Sequence, residues 1–144
     1  MDTSEIQRLV AQSDIINTLN RFVLSVDRRE WITMRDCLTD DVDFDYSALN
    51  AVMPKTADAL VEQVQQDQSH FKAVQHTTTN HYISIENDKA YCTANVRSQH
   101  LLLDEQCDRF WTVVGRYVYQ LLQTQTGWKI CGCTISVYWT ERNT

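Results

Sequence analysis

The chain has 144 residues, of which 43% are hydrophobic and 22% are charged, and its formal net charge is −6. This length and composition predict a single globular domain over residues 1–144 with a core of its own. The acidic balance excludes nucleic acid as the main partner, because neutralising phosphates needs clustered Lys and Arg. No apolar run approaches the length of a membrane span, so no membrane partner is expected.

The five cysteines favour free thiols in a reducing compartment, because their number is odd and the first residues lack the basic and apolar parts of a signal peptide. We therefore expect a cytoplasmic protein. Cys131 and Cys133 have no second pair at matching spacing and do not predict a zinc site. The cysteines are Cys37, Cys92, Cys107, Cys131 and Cys133.

The first half of the chain predicts three helices around one short strand. Apolar residues recur at helical spacing over 4–26, and Ser4 with Gln7 fits a capping box at the start. A shorter helix is expected over 30–38. A third helix begins after Thr56 as N-cap and ends near Gln68. Between these helices, alternation predicts a strand at 42–46, followed by a loop over 47–55.

From Phe71 onward, β-branched and aromatic residues dominate and the helical period disappears. Helices followed by a long antiparallel meander are typical of an α+β fold. Strands this long usually curl, so we expect a curved antiparallel sheet, a cone or α+β barrel, whose internal cavity is closed by the N-terminal helices. The predicted strands cover 73–86, 89–103, 109–123 and 128–139.

Two histidines on neighbouring strands are the first candidates for chemistry. Alternation places His76 on one face with Thr78, Asn80 and Tyr82, and places His81 on the opposite face. On the next strand His100 shares its face with Ser98. A lone histidine is most often a core or surface residue, but two on adjacent strands of a curled sheet predict that both line the cavity.

Asp27 and Tyr46 are the other candidates. Asp27 follows the apolar face of the first helix, where it either caps the second helix or enters the cavity and accepts a hydrogen bond from His76. The Tyr46 hydroxyl either polarises a carbonyl oxygen or belongs to an amphipathic rim residue. A catalytic zinc needs three converging ligands, and only Asp27 could join the two histidines, so we expect no metal and no other cofactor.

Several blocks together resemble the nuclear transport factor 2-like superfamily, specifically its SnoaL-like branch, which includes scytalone dehydratase. The resemblance covers nearly the whole chain. Asp27 with His76 looks like the Asp–His dyad of scytalone dehydratase and of hexachlorocyclohexane dehydrochlorinase. His100 and Tyr46 match two further catalytic positions of the dehydratase. The blocks are Ser25–Trp31, Asp43–Tyr46, Ala51–Pro54, Gln75-His76, His100 and Gly127–Gly132.

The resemblance implies a lyase, a dehydratase that removes water from a small hydrophobic β-hydroxy carbonyl compound. His76, oriented by Asp27, would act as the base, Tyr46 would stabilise the enolate oxygen, and His100 would protonate the departing hydroxyl or share proton transfer with His76. Two alternatives remain open. An isomerase or cyclase would use the same base without a leaving group, and a non-catalytic ligand-binding or assembly module would use no base.

The groups that would hold the substrate differ from those of the dehydratase. Val26 stands where the dehydratase has a second tyrosine, and Gly115 and Tyr117 stand where it has a serine and an asparagine. We therefore expect a small hydrophobic or aromatic partner without assigning its identity. The candidate binding residues are Val26, Met53, Asn80, Ser98, Trp111, Gly115 and Tyr117.

Parity predicts an apolar outer face on the last two strands, which is too apolar to remain in water. We therefore expect a homo-oligomer. The resemblance to scytalone dehydratase favours a trimer, whereas the wider superfamily often forms dimers. The residues assigned to this face are Val114, Val118, Leu122, Ile135, Val137 and Trp139.

Overall fold

A computed structural model describes residues 1–104, 106 and 108–143, so Cys107 lies outside the described residues. The helices precede the long strands, as the α+β prediction requires. A short 3-10 helix, Ser47–Leu49, interrupts the predicted loop. The elements are α1 (Thr3–Arg28), α2 (Trp31–Asp36), β1 (Leu38–Asp45), α3 (Ala57–Gln68), β2 (Phe71–Glu86), β3 (Lys89–Leu102), β4 (Phe110–Thr124) and β5 (Gly127–Arg142).

The first helix begins and ends differently from the prediction. Its capping box consists of Asp2 and Glu5, so the assignment of Ser4 and Gln7 was wrong. The Glu5 amide donates to the Asp2 carboxylate at 2.9 Å, and the Ser4 hydroxyl donates to the same oxygen at 2.8 Å. The residue that caps its C-terminus is Arg29, whose φ of 59° is left-handed. Since α1 continues to Arg28, it carries Asp27 within its last turn.

The sheet is open and mixed, with the strand order β1-β5-β4-β3-β2. Its four long strands are antiparallel, as predicted, whereas β1 pairs in parallel with β5 and forms an edge. β1 also starts four residues before its predicted position, because Leu38 pairs with Ile130. Among the described residues, no helix is both long and apolar enough to cross a membrane.

The core lies between the helices and the inner face of the sheet. Ile15 and Leu19 from α1 and Leu60 from α3 are almost completely buried there. The inner face of β3 carries mostly small side chains, among them Ala90 and Ala94, both 1% exposed. These small side chains occupy little volume on the inner face of the sheet.

A bulge at Asn80 changes which residues of β2 face inward. Asn80 has a φ of 57°, and the pairing with β3 shifts register between Thr79 and Tyr82. Because one extra residue reverses the alternation, His81 turns toward α1, while Tyr82 is 76% exposed. The predictions that Asn80 and Tyr82 share the face of His76, and that His81 lies opposite, were therefore wrong.

Two bulges between β4 and β5 change the outer face as well. Register shifts occur between Val114 and Gly115 and between Gln120 and Leu121. As a result Ile135 is 4% exposed and Val137 packs against the core, so their assignment to the outer face was wrong. The outer positions that remain apolar are Val114, Val118, Leu122 and Trp139, and they alternate with the exposed Arg116 and Gln120.

Candidate active site

A cavity of about 350 Å³ lies between the inner face of the sheet, the end of α1 and the inner face of α3. Its volume is near the lower end of the range of about 300–1,000 Å³ that is typical of small-molecule sites. The walls are mostly apolar, with a few polar side chains among them. The apolar lining includes Phe22, Val23, Val26, Met34, Phe44, Leu60, Val64, Val113 and Ile135.

Two hydrogen bonds join Asp27 and His76 at this cavity. The Nδ1 atom of His76 lies 2.6 Å from one carboxylate oxygen of Asp27, and the backbone N–H of His76 donates to the other at 2.8 Å. Both side chains are 14% exposed. The N-cap of α2 is Glu30, so Asp27 does not cap that helix. A carboxylate that accepts from Nδ1–H fixes the tautomer and leaves Nε2 with a lone pair.

His100 lies on β3, diagonally across from His76, because His76 pairs with Ser98 and His100 pairs with Val74. Its Nδ1–H donates to the backbone carbonyl of Trp111 at 3.1 Å. The ring lies between those of Phe71 and Trp111, each 4.8 Å away between centroids. Burial lowers the pKa of His100. The neutral ring therefore offers an unprotonated Nε2 at neutral pH.

Tyr46 follows β1 directly, and its ring stacks on that of Tyr117 with 6.4 Å between the centroids. Both residues line the cavity. Burial, with a smaller contribution from the neighbouring phenol, raises the pKa of Tyr46, and burial also raises that of Tyr117. Both phenols therefore keep their protons at physiological pH and can serve as hydrogen-bond donors.

Five of the seven predicted binding residues line the cavity, and two do not. Asn80 is exposed because of the bulge in β2. The neighbouring backbone requires a glycine at position 115, because a Cβ atom there would lie 2.1 Å from the carbonyl oxygen of Ser136. Asn80 and Gly115 therefore do not lie in the cavity wall, where the sequence analysis expected them. The five that line the cavity are Val26, Met53, Ser98, Trp111 and Tyr117.

Sequence reasoning missed the contribution of α3 and the turn after it. Asp67, Gln68, His70 and Phe71 all line the cavity from this segment. The amphipathic pattern of α3 indicated which face is buried but not what that face encloses. Gln68 is the informative omission, because it is a polar residue in the last turn that is only 6% exposed.

Metal-ligating side chains do not cluster in the described part of the chain. Across residues 1–104, 106 and 108–143, no group of three or more His, Cys, Asp or Glu side chains is arranged to hold a metal ion. The cysteines described there, Cys37, Cys92, Cys131 and Cys133, are free thiols.

Comparisons with solved structures show the same fold. Protein Kfla4162 from Kribbella flavida superposes with a TM-score of 0.87 at 23% identity, covering 93% of this chain and 95% of that one. A candidate scytalone dehydratase from Novosphingobium aromaticivorans gives a TM-score of 0.82 at 17% identity, covering 95% and 90% of the two chains. The type 3 hexachlorocyclohexane dehydrochlorinase of Novosphingobium barchaimii gives 0.85 at 14% identity, covering 97% and 94%.

A comparison with curated protein sequences finds no match. The sequence model of the SnoaL-like domain, in contrast, matches residues 7–134, which run from the first part of α1 into β5. The chain therefore belongs to the SnoaL-like family of the nuclear transport factor 2-like superfamily.

Proposed function

We propose that this protein is a lyase, a dehydratase that removes water from a small hydrophobic β-hydroxy carbonyl compound. The observation that carries the proposal is the Asp27–His76 pair, with its 2.6 Å side-chain contact at the edge of a largely apolar cavity. A histidine held by a carboxylate in one tautomer is a typical general base. The similarity to dehydratase and dehydrochlorinase structures supports an eliminating enzyme.

In this mechanism His76 Nε2 removes a proton from the carbon next to the carbonyl group. The electron pair of the C–H bond forms an enolate, whose oxygen accepts a hydrogen bond from Tyr46. When the enolate collapses, the carbonyl reforms, a C=C bond is made and the β-hydroxyl group leaves. The proton held by His76 passes to that hydroxyl, directly or through His100, so the products are water and an unsaturated carbonyl compound.

One observation favours an isomerase or cyclase as the second candidate. His100 donates its Nδ1 proton to a backbone carbonyl, and burial favours its neutral form. It is therefore a second proton acceptor at neutral pH rather than a ready acid for a leaving hydroxyl. An isomerase needs only to move one proton between two carbons, and two bases facing one cavity suit that reaction as well.

The test uses 4-hydroxy-4-phenylbutan-2-one, a β-hydroxy ketone whose dehydration product absorbs in the near ultraviolet. The wild-type protein should form that product, and His76→Gln should reduce the rate about 100- to 10,000-fold. His81→Gln is the matched control, because His81 is on the same strand but does not line this cavity. Equal rates for His76→Gln and the wild type would refute the proposal.

We also propose that the protein is a cytoplasmic homo-oligomer, a trimer or a dimer. The outer sheet face carries Val114, Val118, Leu122 and the 52% exposed Trp139, which favour contact with another subunit. The described cysteines are free, which suits a reducing compartment. Sedimentation of the wild type and of Trp139→Glu tests the oligomer, since a charge on this face should favour the monomer.

A further inference from the structure

Ser98 places a hydroxyl group beside both imidazoles of the cavity. It pairs directly with His76 across β2 and β3, and His100 lies two residues farther along β3, on the same face. Directly opposed residues on antiparallel strands have Cβ atoms about 4.5–5.5 Å apart. Residues two positions apart on one strand are separated by about 7 Å. The short serine side chain therefore lies next to both of the longer ring side chains.

The Ser98 hydroxyl is available to a ligand. Ser98 lines the cavity, and its hydroxyl makes no hydrogen bond with any described residue. Within the described part of the chain, the enclosed side-chain atoms that lack a hydrogen-bond partner belong to Gln68, His81 and Tyr119. The Ser98 oxygen is not one of these enclosed atoms, so a molecule in the cavity can reach it.

The sheet around Ser98 offers few other polar contacts. The inner positions that precede it on β3 are the buried Ala94 and Val96, and its partner on β4 is the buried Val113. None of these side chains donates or accepts a hydrogen bond. On this part of the cavity wall, a polar group of a ligand therefore meets Ser98 and the two histidines.

The two imidazoles offer acceptors, whereas the serine hydroxyl offers a donor. The Nδ1 atom of His76 is bonded to Asp27, and Nδ1–H of His100 donates to the Trp111 carbonyl, so each ring keeps a lone pair on Nε2. A departing hydroxyl group needs donors, because its oxygen receives the electron pair of the breaking C–O bond. Ser98 can supply one without a preceding proton transfer.

We propose that Ser98 is a catalytic residue that donates a hydrogen bond to the leaving hydroxyl group of the substrate. This inference rests on the proposed function, since it assigns the group that receives the leaving oxygen at the same site. The C–O bond breaks with its electron pair on oxygen, and that oxygen takes the proton that His76 removed from carbon. Ser98 keeps its own proton, so the products are still water and the unsaturated carbonyl compound.

Two reactions separate departure of the hydroxyl group from removal of the proton. Dehydration of 4-hydroxy-4-phenylbutan-2-one needs both steps, whereas deuterium exchange into 4-phenylbutan-2-one needs only the base. Ser98→Ala should lower kcat for dehydration about 10- to 100-fold, because it removes a hydrogen bond to an oxygen that gains charge. KM should stay within about 3-fold of the wild-type value, and the exchange rate within about 2-fold, because neither depends on that charge.

Two further serine variants serve as controls. Ser98→Thr keeps a hydroxyl group at the same position and should dehydrate the ketone faster than Ser98→Ala. Ser84→Ala removes an exposed hydroxyl group from β2, outside the cavity lining, and should match the wild type in both reactions. Dehydration by Ser98→Thr that is no faster than by Ser98→Ala would contradict a role for the hydroxyl group.

A wild-type rate of dehydration in Ser98→Ala would overturn the proposal. An equal loss of dehydration and exchange would also overturn it, because Ser98 would then act on the base and not on the leaving group. Failure of the proposed function looks different. If the wild type dehydrates the ketone no faster than buffer does, both proposals fall. If His76→Gln keeps wild-type exchange, only the assignment of the base fails, and a selective loss of dehydration in Ser98→Ala still supports the role of Ser98.

Discussion

His76 and His81 lie five residues apart on β2 and differ in every respect that matters for chemistry. His76 is held by the carboxylate of Asp27 at 2.6 Å and lines the cavity between the sheet and the helices. His81 lies against α1, beside Gln12, Ser13 and Asn17, and its Nε2 atom is buried without a partner. The bulge at Asn80 lies between them and turns His81 to the same face of the sheet as His76, but farther along the strand. The carboxylate partner, and not the imidazole alone, therefore distinguishes a candidate base.

The largest expected effect on the dehydration rate comes from substituting Asp27, the carboxylate partner of His76. Asp27→Asn keeps the size of the side chain but removes the charge that holds the imidazolium, and its amide favours the wrong tautomer of His76. We expect the rate of β-hydroxy ketone dehydration to fall about 100- to 10,000-fold. Asp14→Asn, an exposed position on the same helix, is the control and should retain wild-type activity. A fully active Asp27→Asn would remove the distinction between the two histidines.

The second prediction concerns the bulge that separates them. Asn80 has a φ of 57°, a conformation that asparagine tolerates and β-branched residues do not. Asn80→Val should lower the free energy of unfolding by about 1–3 kcal/mol. Asn80→Gly should be near neutral, since glycine adopts this conformation freely. Urea denaturation measures both, and equal stability of the two variants would show that the backbone does not require the left-handed conformation.

The third prediction concerns the titration of His100, the other histidine in the cavity. Burial lowers the pKa of His100, although its bond to the Trp111 carbonyl opposes the shift. Its NMR titration midpoint should therefore lie below the ordinary value of about 6.5. A midpoint above that value would make His100 a better acid than base and would favour its direct protonation of the leaving group.

The smallest expected effect concerns His81. Burial lowers its pKa in the folded protein, so the unfolded chain binds more protons as the pH falls below about 6.5. The stability contributed by neutral His81 is therefore present at pH 7 and is lost toward lower pH. His81→Gln should show a weaker decline of the unfolding free energy between pH 7 and 5. A decline as steep as that of the wild type would contradict this reading.

The sequence predicted the order of the elements, and the family resemblance favoured a contact of Asp27 with His76 over a cap on α2, which the structure bears out. Long periodic segments define helices and strands with little ambiguity, and the antiparallel hairpin β2–β3 brings His76 and His100 to one face by parity alone. The roles assigned to Asp27, His76, Tyr46 and His100 stay predictions until turnover is measured.

The alternation of residues along a strand predicted the wrong face of the sheet wherever a bulge was present. Asn80, Ile135 and Val137 were assigned to the wrong faces because each lies beyond an extra residue that no local pattern reveals. Gly115 was taken for a binding position, although the close approach of Ser136 accounts for it. Gln68 was missed because a polar residue at the end of a helix normally faces solvent, whereas tertiary packing leaves this one only 6% exposed.

In the proposed mechanism His76, held by Asp27, removes a proton from carbon. The most direct measurement is deuterium exchange into 4-phenylbutan-2-one, a ketone with no leaving group, followed by proton NMR in D₂O. The wild-type protein should catalyse exchange next to the carbonyl group, and His76→Gln should reduce that exchange to the uncatalysed rate while His81→Gln does not. Exchange by His76→Gln at the wild-type rate would contradict the account.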